Sequence, residues 1–124
     1  AEVEVDGAPQ VMADPVALEQ IVHNLLMNAL HALEQVPADA RRIGLWLGAE
    51  QGQGVLRVTD SGPGIAADVL PRLFHPFFST RPGGMGLGLS LCETLAAGMG
   101  GALTAANAEP RGAVFTLRLP LAAP

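Results

Sequence analysis

The sequence predicts an α+β fold, with a mainly antiparallel sheet covered on one face by about three helices. Three observations carry this prediction. Runs of β character open and close the chain. A single long amphipathic segment is followed by a hairpin, with no regular strand–helix alternation of the doubly wound kind. Turn chemistry, with no crossover helix, joins the central strand-like runs. The 124 residues suit one domain, 1–124, and a chain of this size removes roughly two-thirds of its unfolded surface from water.

The elements follow in order. Val3 and Val5 alternate with Glu2 and Glu4, a strand pattern, and Asp6-Gly7 signals a turn. Gln10 to Ala13 reads as a second short strand. Asp14-Pro15 has the form of a helix start, with Asp as N-cap and Pro at the first helical position. From Pro15 to about Gln35, Leu18, Ile21, Val22, Leu25, Leu26, Ala29 and Leu33 make one apolar face, and Pro37 ends the helix. Ile43 to Ala49 and Val55 to Val58 read as strands joined by a hairpin through Gln51 to Gly54. A glycine-rich loop, Asp60 to Gly64, comes next, then a short helix over Ala66 to Leu73. Phe74 to Gly84 is irregular. Gly86 to Met99 has helical spacing, and Ala102 to Ala106 with Ala113 to Leu119 form the closing strand pair.

Composition excludes several functions. All seven basic residues are Arg, at 41, 42, 57, 72, 81, 111 and 118, and there is no lysine. A P-loop, a protein-kinase fold and a Schiff-base enzyme each need one. With a net charge of −5 and no basic run, the chain is a poor nucleic-acid binder. The single cysteine, Cys92, permits no internal disulfide and suits a reducing compartment; it reads as a small core residue. No apolar run reaches membrane-spanning length, so no direct membrane contact is expected of this domain. Without a start Met, the chain reads as a domain cut from a longer polypeptide.

Three constellations carry chemistry. Asn24, Asn28 and His31 stand at i, i+4 and i+7 of the long helix and share a face. Alone, that strip suits a solvated surface as well as a ligand site, although an amide oxygen is a suitable hard ligand for Mg²⁺. Asp60-Ser61-Gly62-Pro63-Gly64 is either an ordinary turn or a carboxylate at a strand end, beside glycines that let a flat ligand approach the backbone. Gly83-Gly84-Met85-Gly86-Leu87-Gly88-Leu89 runs into a helix, where free N–H groups face an anion. Its spacing is not that of a Rossmann fingerprint.

In this order and spacing, the sequence resembles the catalytic ATP-binding domain of two-component sensor histidine kinases. That family shares a superfamily with gyrase-type topoisomerases, heat-shock chaperone ATPases and mismatch-repair ATPases. Leu18 to Ala29 resembles the asparagine box, Asp60 to Ile65 the first glycine box, Leu73 to Phe78 the phenylalanine box and Gly84 to Leu89 the second glycine box. Gly112 to Pro120 resembles the closing strand. The resemblance covers essentially the whole chain and implies a two-layer, Bergerat-type ATP-binding fold.

It also implies roles. Asp60 accepts a hydrogen bond from the adenine amino group, and Gly62, Gly64 and Ile65 line the base. Asn28 is the Mg²⁺ ligand, with Asn24 one turn earlier. Gly84, Gly86, Leu87, Gly88 and Leu89 meet the phosphates. Phe74, Phe77 and Phe78 anchor an ATP lid, and Thr116 contacts the adenine side. His31 and Arg81 stand where relatives often carry a cation near the phosphates. Met85 departs from the common Thr, a change of small expected effect.

Hydrolytic relatives carry a Glu four residues before the Mg²⁺-binding Asn; here that residue is Asn24, which cannot take up a proton at neutral pH. The resemblance therefore implies a protein-histidine kinase, in preference to a stand-alone ATPase, a serine kinase of the same superfamily or a non-catalytic docking module. None of His23, His31 and His75 lies in an acceptor-helix context. The implied partners are ATP with Mg²⁺, a histidine-containing dimerisation domain of the same protein and a response regulator downstream. The implied location is cytoplasmic, on a parent that is free or membrane-anchored.

Overall fold

Every element except two predicted from the sequence is found. The computed structural model describes residues 2–5, 14–74, 88–108 and 111–121, the first of these segments as backbone only. The chain forms β1 (Glu2–Val5), α1 (Pro15–Ala32), β2 (Ile43–Glu50), β3 (Gln53–Asp60), α2 (Gly88–Gly98), β4 (Ala102–Asn107) and β5 (Ala113–Pro120). The sheet order is β1-β2-β3-β5-β4. β1 runs parallel to β2, and every other pairing is antiparallel.

Local chemistry explains the boundaries. The Asp14 carboxylate accepts the Val16 N–H at 2.9 Å, and Pro15 costs nothing at a position whose N–H has no helical partner. α1 ends at Ala32, and its expected last turn tightens into a 3-10 helix over Leu33–Gln35. Gln51 and Gly52 both take positive φ, 54° and 77°, the geometry of a two-residue hairpin that follows the strand twist. This turn fixes the β2–β3 register from Glu50↔Gln53 to Ile43↔Asp60, which places Asp60 at the strand end.

The two exceptions concern the second strand and the middle helix. The strand expected over Gln10 to Ala13 lies outside the described residues. The helix expected over Ala66 to Leu73 is a single 3-10 turn, Leu70–Arg72, in which Pro71 offers no donor for an α-helical bond. Two α-helices therefore cover the sheet among the described residues.

Period-2 alternation divides the sheet faces. Ala113, Phe115, Leu117 and Leu119 of β5 are buried with Val58 of β3 and Leu103 of β4. Ile21, Leu25 and Ala29 of α1 and Cys92 and Ala96 of α2 complete this core. The opposite face is mixed, with Val55 buried beside a polar cluster. There the Arg57 guanidinium stacks 4.9 Å from the Trp46 ring centroid and grips Glu50 through two hydrogen bonds, at 2.6 and 3.1 Å. Arg118 adds a contact at 3.4 Å. Hydrogen bonding from Arg57, then the charges of both arginines, hold the Glu50 carboxyl below the usual range. Among the described residues no helix is long and apolar enough to cross a membrane.

Candidate functional site

The helical period sets out the first wall of the site. Asn24, Asn28 and Ala32 follow one another at i, i+4 and i+8 along α1. Both asparagines are half-buried. At the C-terminal end of this line, Ala32 meets the first glycine loop: a Cβ on Gly62 would lie 3.0 Å from the Ala32 carbonyl oxygen and 2.9 Å from Asp60 Oδ1. A side chain at 62 would crowd the point where helix, carboxylate and loop meet. At the other end, Asn24 Nδ2 donates to Cys92 Sγ at 3.4 Å, and Cys92 stands one turn into α2, whose first residue is Gly88. The amide strip therefore spans from the Asp60 loop to the first turn of α2, about 12 Å of helix.

Asp60 is the second wall. It is 4% exposed, the only buried charged or polar residue among those described. Its Oδ1 accepts the Gly62 N–H at 2.9 Å. Burial drives its pKa up, and the Gly62 and Ala113 N–H groups pull against that rise without cancelling it. A carboxylate has about four acceptor positions, so capacity remains for a ligand. A buried acid with a raised pKa at a strand end, beside two glycines, makes this loop a candidate functional site.

Other predicted site residues divide into three groups. Ile65 and Leu89 pack against the core, as does Phe74, whose ring meets Phe115 edge-on at 6.5 Å and 85°. Gly64 takes φ +84° in the loop. His31 lies on the α1 strip, 3.8 Å from the Glu34 carboxylate. Phe78, Arg81, Gly84, Gly86 and Leu87 lie outside the described residues, as do His75, Phe77 and Met85. Thr116 is a correction. It pairs with Arg57, three residues from Asp60 on β3, so it stands on the mixed face of the sheet, away from the carboxylate. Ala113, on the core face, is the β5 residue whose N–H lowers the pKa of Asp60.

The matches to known proteins agree with this geometry. The family model for histidine kinase-, DNA gyrase B-, and HSP90-like ATPases matches residues 13–123. The chain belongs to that family. It is 41% identical over 117 residues to the sensor histidine kinase ZraS of Escherichia coli O157:H7, covering 94% of this chain and 24% of ZraS. The chain thus spans about a quarter of the length of that relative. The structure superposes on the mycobacterial sensor histidine kinase MprB with a TM-score of 0.80 at 34% identity, covering 97% of this chain and 80% of that one. It superposes on full-length ShkA, solved in complex with AMPPNP, with a TM-score of 0.80 at 32% identity, covering 99% of this chain and 26% of ShkA.

Within this ATPase domain, four residues that sequence reasoning missed shape the Asp60 loop. Ser61 Oγ accepts the Arg42 N–H and donates to the Ala40 carbonyl, each at 2.8 Å. Asn107 bonds both polar groups of the Ile65 backbone, and Arg111 Nε donates to the Gly62 carbonyl at 3.2 Å. Gly112, at φ +100°, packs so close to Asp60 that any Cβ would collide with its carbonyl oxygen. The signals for these residues are faint. A serine, an asparagine and a glycine at strand ends read as ordinary turn residues.

The donor set also bears on a metal. Among the described residues no group of three or more His, Cys, Asp or Glu could hold one. Mg²⁺ needs no such group, because it keeps several waters and takes further oxygens from phosphates. The half-buried Asn28 amide supplies a fitting hard oxygen.

Burial of Asp60 has a consequence for stability. Its folded pKa lies above the unfolded value of about 3.9. The folded state is therefore relatively most stable below the unfolded pKa and loses that increment as pH rises through the folded one. Asp60→Asn keeps an oxygen for the Gly62 N–H and removes the titration. At pH 7 the Asn variant should match or exceed the wild type in urea denaturation, with the difference shrinking on acidification. A wild type clearly more stable than the variant at pH 7 would contradict this.

Proposed function

We propose that this chain binds ATP with Mg²⁺ and positions the γ-phosphate for transfer to a histidine on a separate dimerisation domain of a sensor histidine kinase. The observation that carries this reading is the buried Asp60 at one end of the Asn24–Asn28 strip, with the start of α2 at the other end, in a chain of this ATPase family. The complex of ShkA with AMPPNP, an ATP analogue, supports the same ligand class.

The residues divide the work. Asp60 accepts from the adenine amino group, and the Gly62–Ile65 loop lies against the base. Asn28 would hold the metal through its amide oxygen, and the metal would supply neutralisation of phosphate charge. The first turn of α2 offers N–H groups to the phosphates, with Gly84, Gly86 and Leu87 ahead of it. Asn24, its Nδ2 given to Cys92, has no basic atom with which to activate water. Phosphoryl transfer asks the protein mainly for positioning and charge neutralisation. The cationic contact falls to Arg81, whose guanidinium carries its charge at any working pH. Phe74 and Phe78 belong to the stretch that the family resemblance implies is an ATP lid. The partners are the histidine-bearing domain and, downstream of it, a response regulator, all on the cytoplasmic side of any membrane anchor.

The test is calorimetric titration with ATP, with and without Mg²⁺. One-to-one binding that tightens with Mg²⁺ is the expected result; no binding under either condition would overturn the reading.

A further inference from the structure

We infer that Asn107 is a positioning residue for the nucleotide base, acting through Ile65 on the loop beside Asp60. The inference rests on the ATP-binding reading above and adds a residue to it. Asn107 closes β4, an edge strand, and its side chain reaches a segment 42 residues earlier in the chain. Its Oδ1 accepts the Ile65 N–H at 2.6 Å, and its Nδ2 donates to the Ile65 carbonyl at 2.8 Å. One carboxamide thus satisfies both backbone groups of one residue, as a neighbouring strand does in a sheet.

The loop needs such a partner. It contains Gly62, Pro63 and Gly64, and so carries high conformational entropy when free and no N–H at its centre. Gly64 is held at φ +84°, and a Cβ there would lie 2.9 Å from Asn107 Oδ1. Arg111, two residues before β5, donates to the Gly62 carbonyl at 3.2 Å. The Ala108 N–H bonds the Gly112 carbonyl at 2.9 Å and closes that hairpin. Two side chains of one hairpin therefore grip both ends of the base-facing loop, while the Ile65 side chain packs against the core. A loop fixed before the ligand arrives leaves less ordering to be done on binding.

Only a side chain with one acceptor and one donor in a plane can make both bonds, and this separates positioning from mere filling of space. Asn107→Asp is nearly isosteric but sets a second oxygen against the Ile65 carbonyl. In Asn107→Ala and Asn107→Asp alike, the Kd for ATP and ADP should rise about tenfold, the loss of a binding hydrogen bond's worth of preorganisation. The preference for ATP over GTP should narrow in both, and in Asn107→Ala, which removes the acceptor for the Ile65 N–H, amide exchange at Ile65 should accelerate while β3 and β5 amides stay protected. Wild-type affinity in the Asp variant, or unchanged Ile65 exchange in a folded Ala variant, would overturn the clamp alone. If the wild type binds no adenine nucleotide, the clamp and the reading beneath it fall together. Should the Ala variant not fold, the Asp variant decides.

Discussion

Asp60→Ala should weaken ATP binding by about 1.5–3 kcal/mol, roughly 10- to 150-fold in Kd, in a chain that remains folded. The size of the effect follows from burial. Asp60 is 4% exposed, and its carboxylate already accepts from Gly62. A ligand donor that reaches it enters a site from which water is largely excluded, where a hydrogen bond to a charged group has its greatest value. The fold should survive because burial disfavours the ionised carboxylate, so its removal also relieves a cost. Titration of wild type and variant with ATP, alongside circular dichroism, checks both halves. Undiminished affinity in a folded variant would remove Asp60 from the base site.

Asn28→Ala should act on the metal-dependent part of the affinity. With Mg²⁺ present, ATP should bind at least about tenfold more weakly than to wild type, the scale of losses seen when groups around a metal are removed. Without Mg²⁺ the two proteins should bind alike. The variant should fold, since Asn28 is only half-buried and alanine is the better helix former. Equal loss with and without Mg²⁺ would make Asn28 a packing or nucleotide contact instead of a metal ligand.

The parts of the fold written in local chemistry were legible in the sequence. Asp14-Pro15 starts α1 as its capping chemistry requires, and the apolar face of that helix is the face that is buried. The β2–β3 hairpin turns on a residue pair at positive φ close to where the glycines of Gln51 to Gly54 announced it. Asp60 at its strand end and the Asn24–Asn28 strip beside it came from motif spacing, and the structure brings the two together through Ala32 and Gly62. The short helix expected over Ala66 to Leu73 is reduced to one 3-10 turn because Pro71 offers no donor for an α-helical bond.

What was not legible depends on contacts distant in sequence. Thr116 was assigned to the adenine side, but which face it occupies is decided by its pairing with Arg57, and a period of two puts Arg57 and Asp60 on opposite faces. Ala113 acts on the Asp60 pKa only through its backbone N–H, and no side-chain reading would single it out. The clamp from Asn107 to Ile65 and the tie from Arg111 to Gly62 span 42 and 49 residues, with nothing local to mark them. The same holds for the bond from Asn24 to Cys92, which joins the two helices across the core.

The most direct test of the kinase assignment follows the label from γ-labelled ATP with Mg²⁺, for this chain alone and with a separately produced cognate dimerisation domain that bears the acceptor histidine. Expected is acid-labile, base-stable label on the histidine of the added domain, none on this chain, and little release of free phosphate. Label on this chain by itself, or steady phosphate release with the added domain unlabelled, would contradict the assignment.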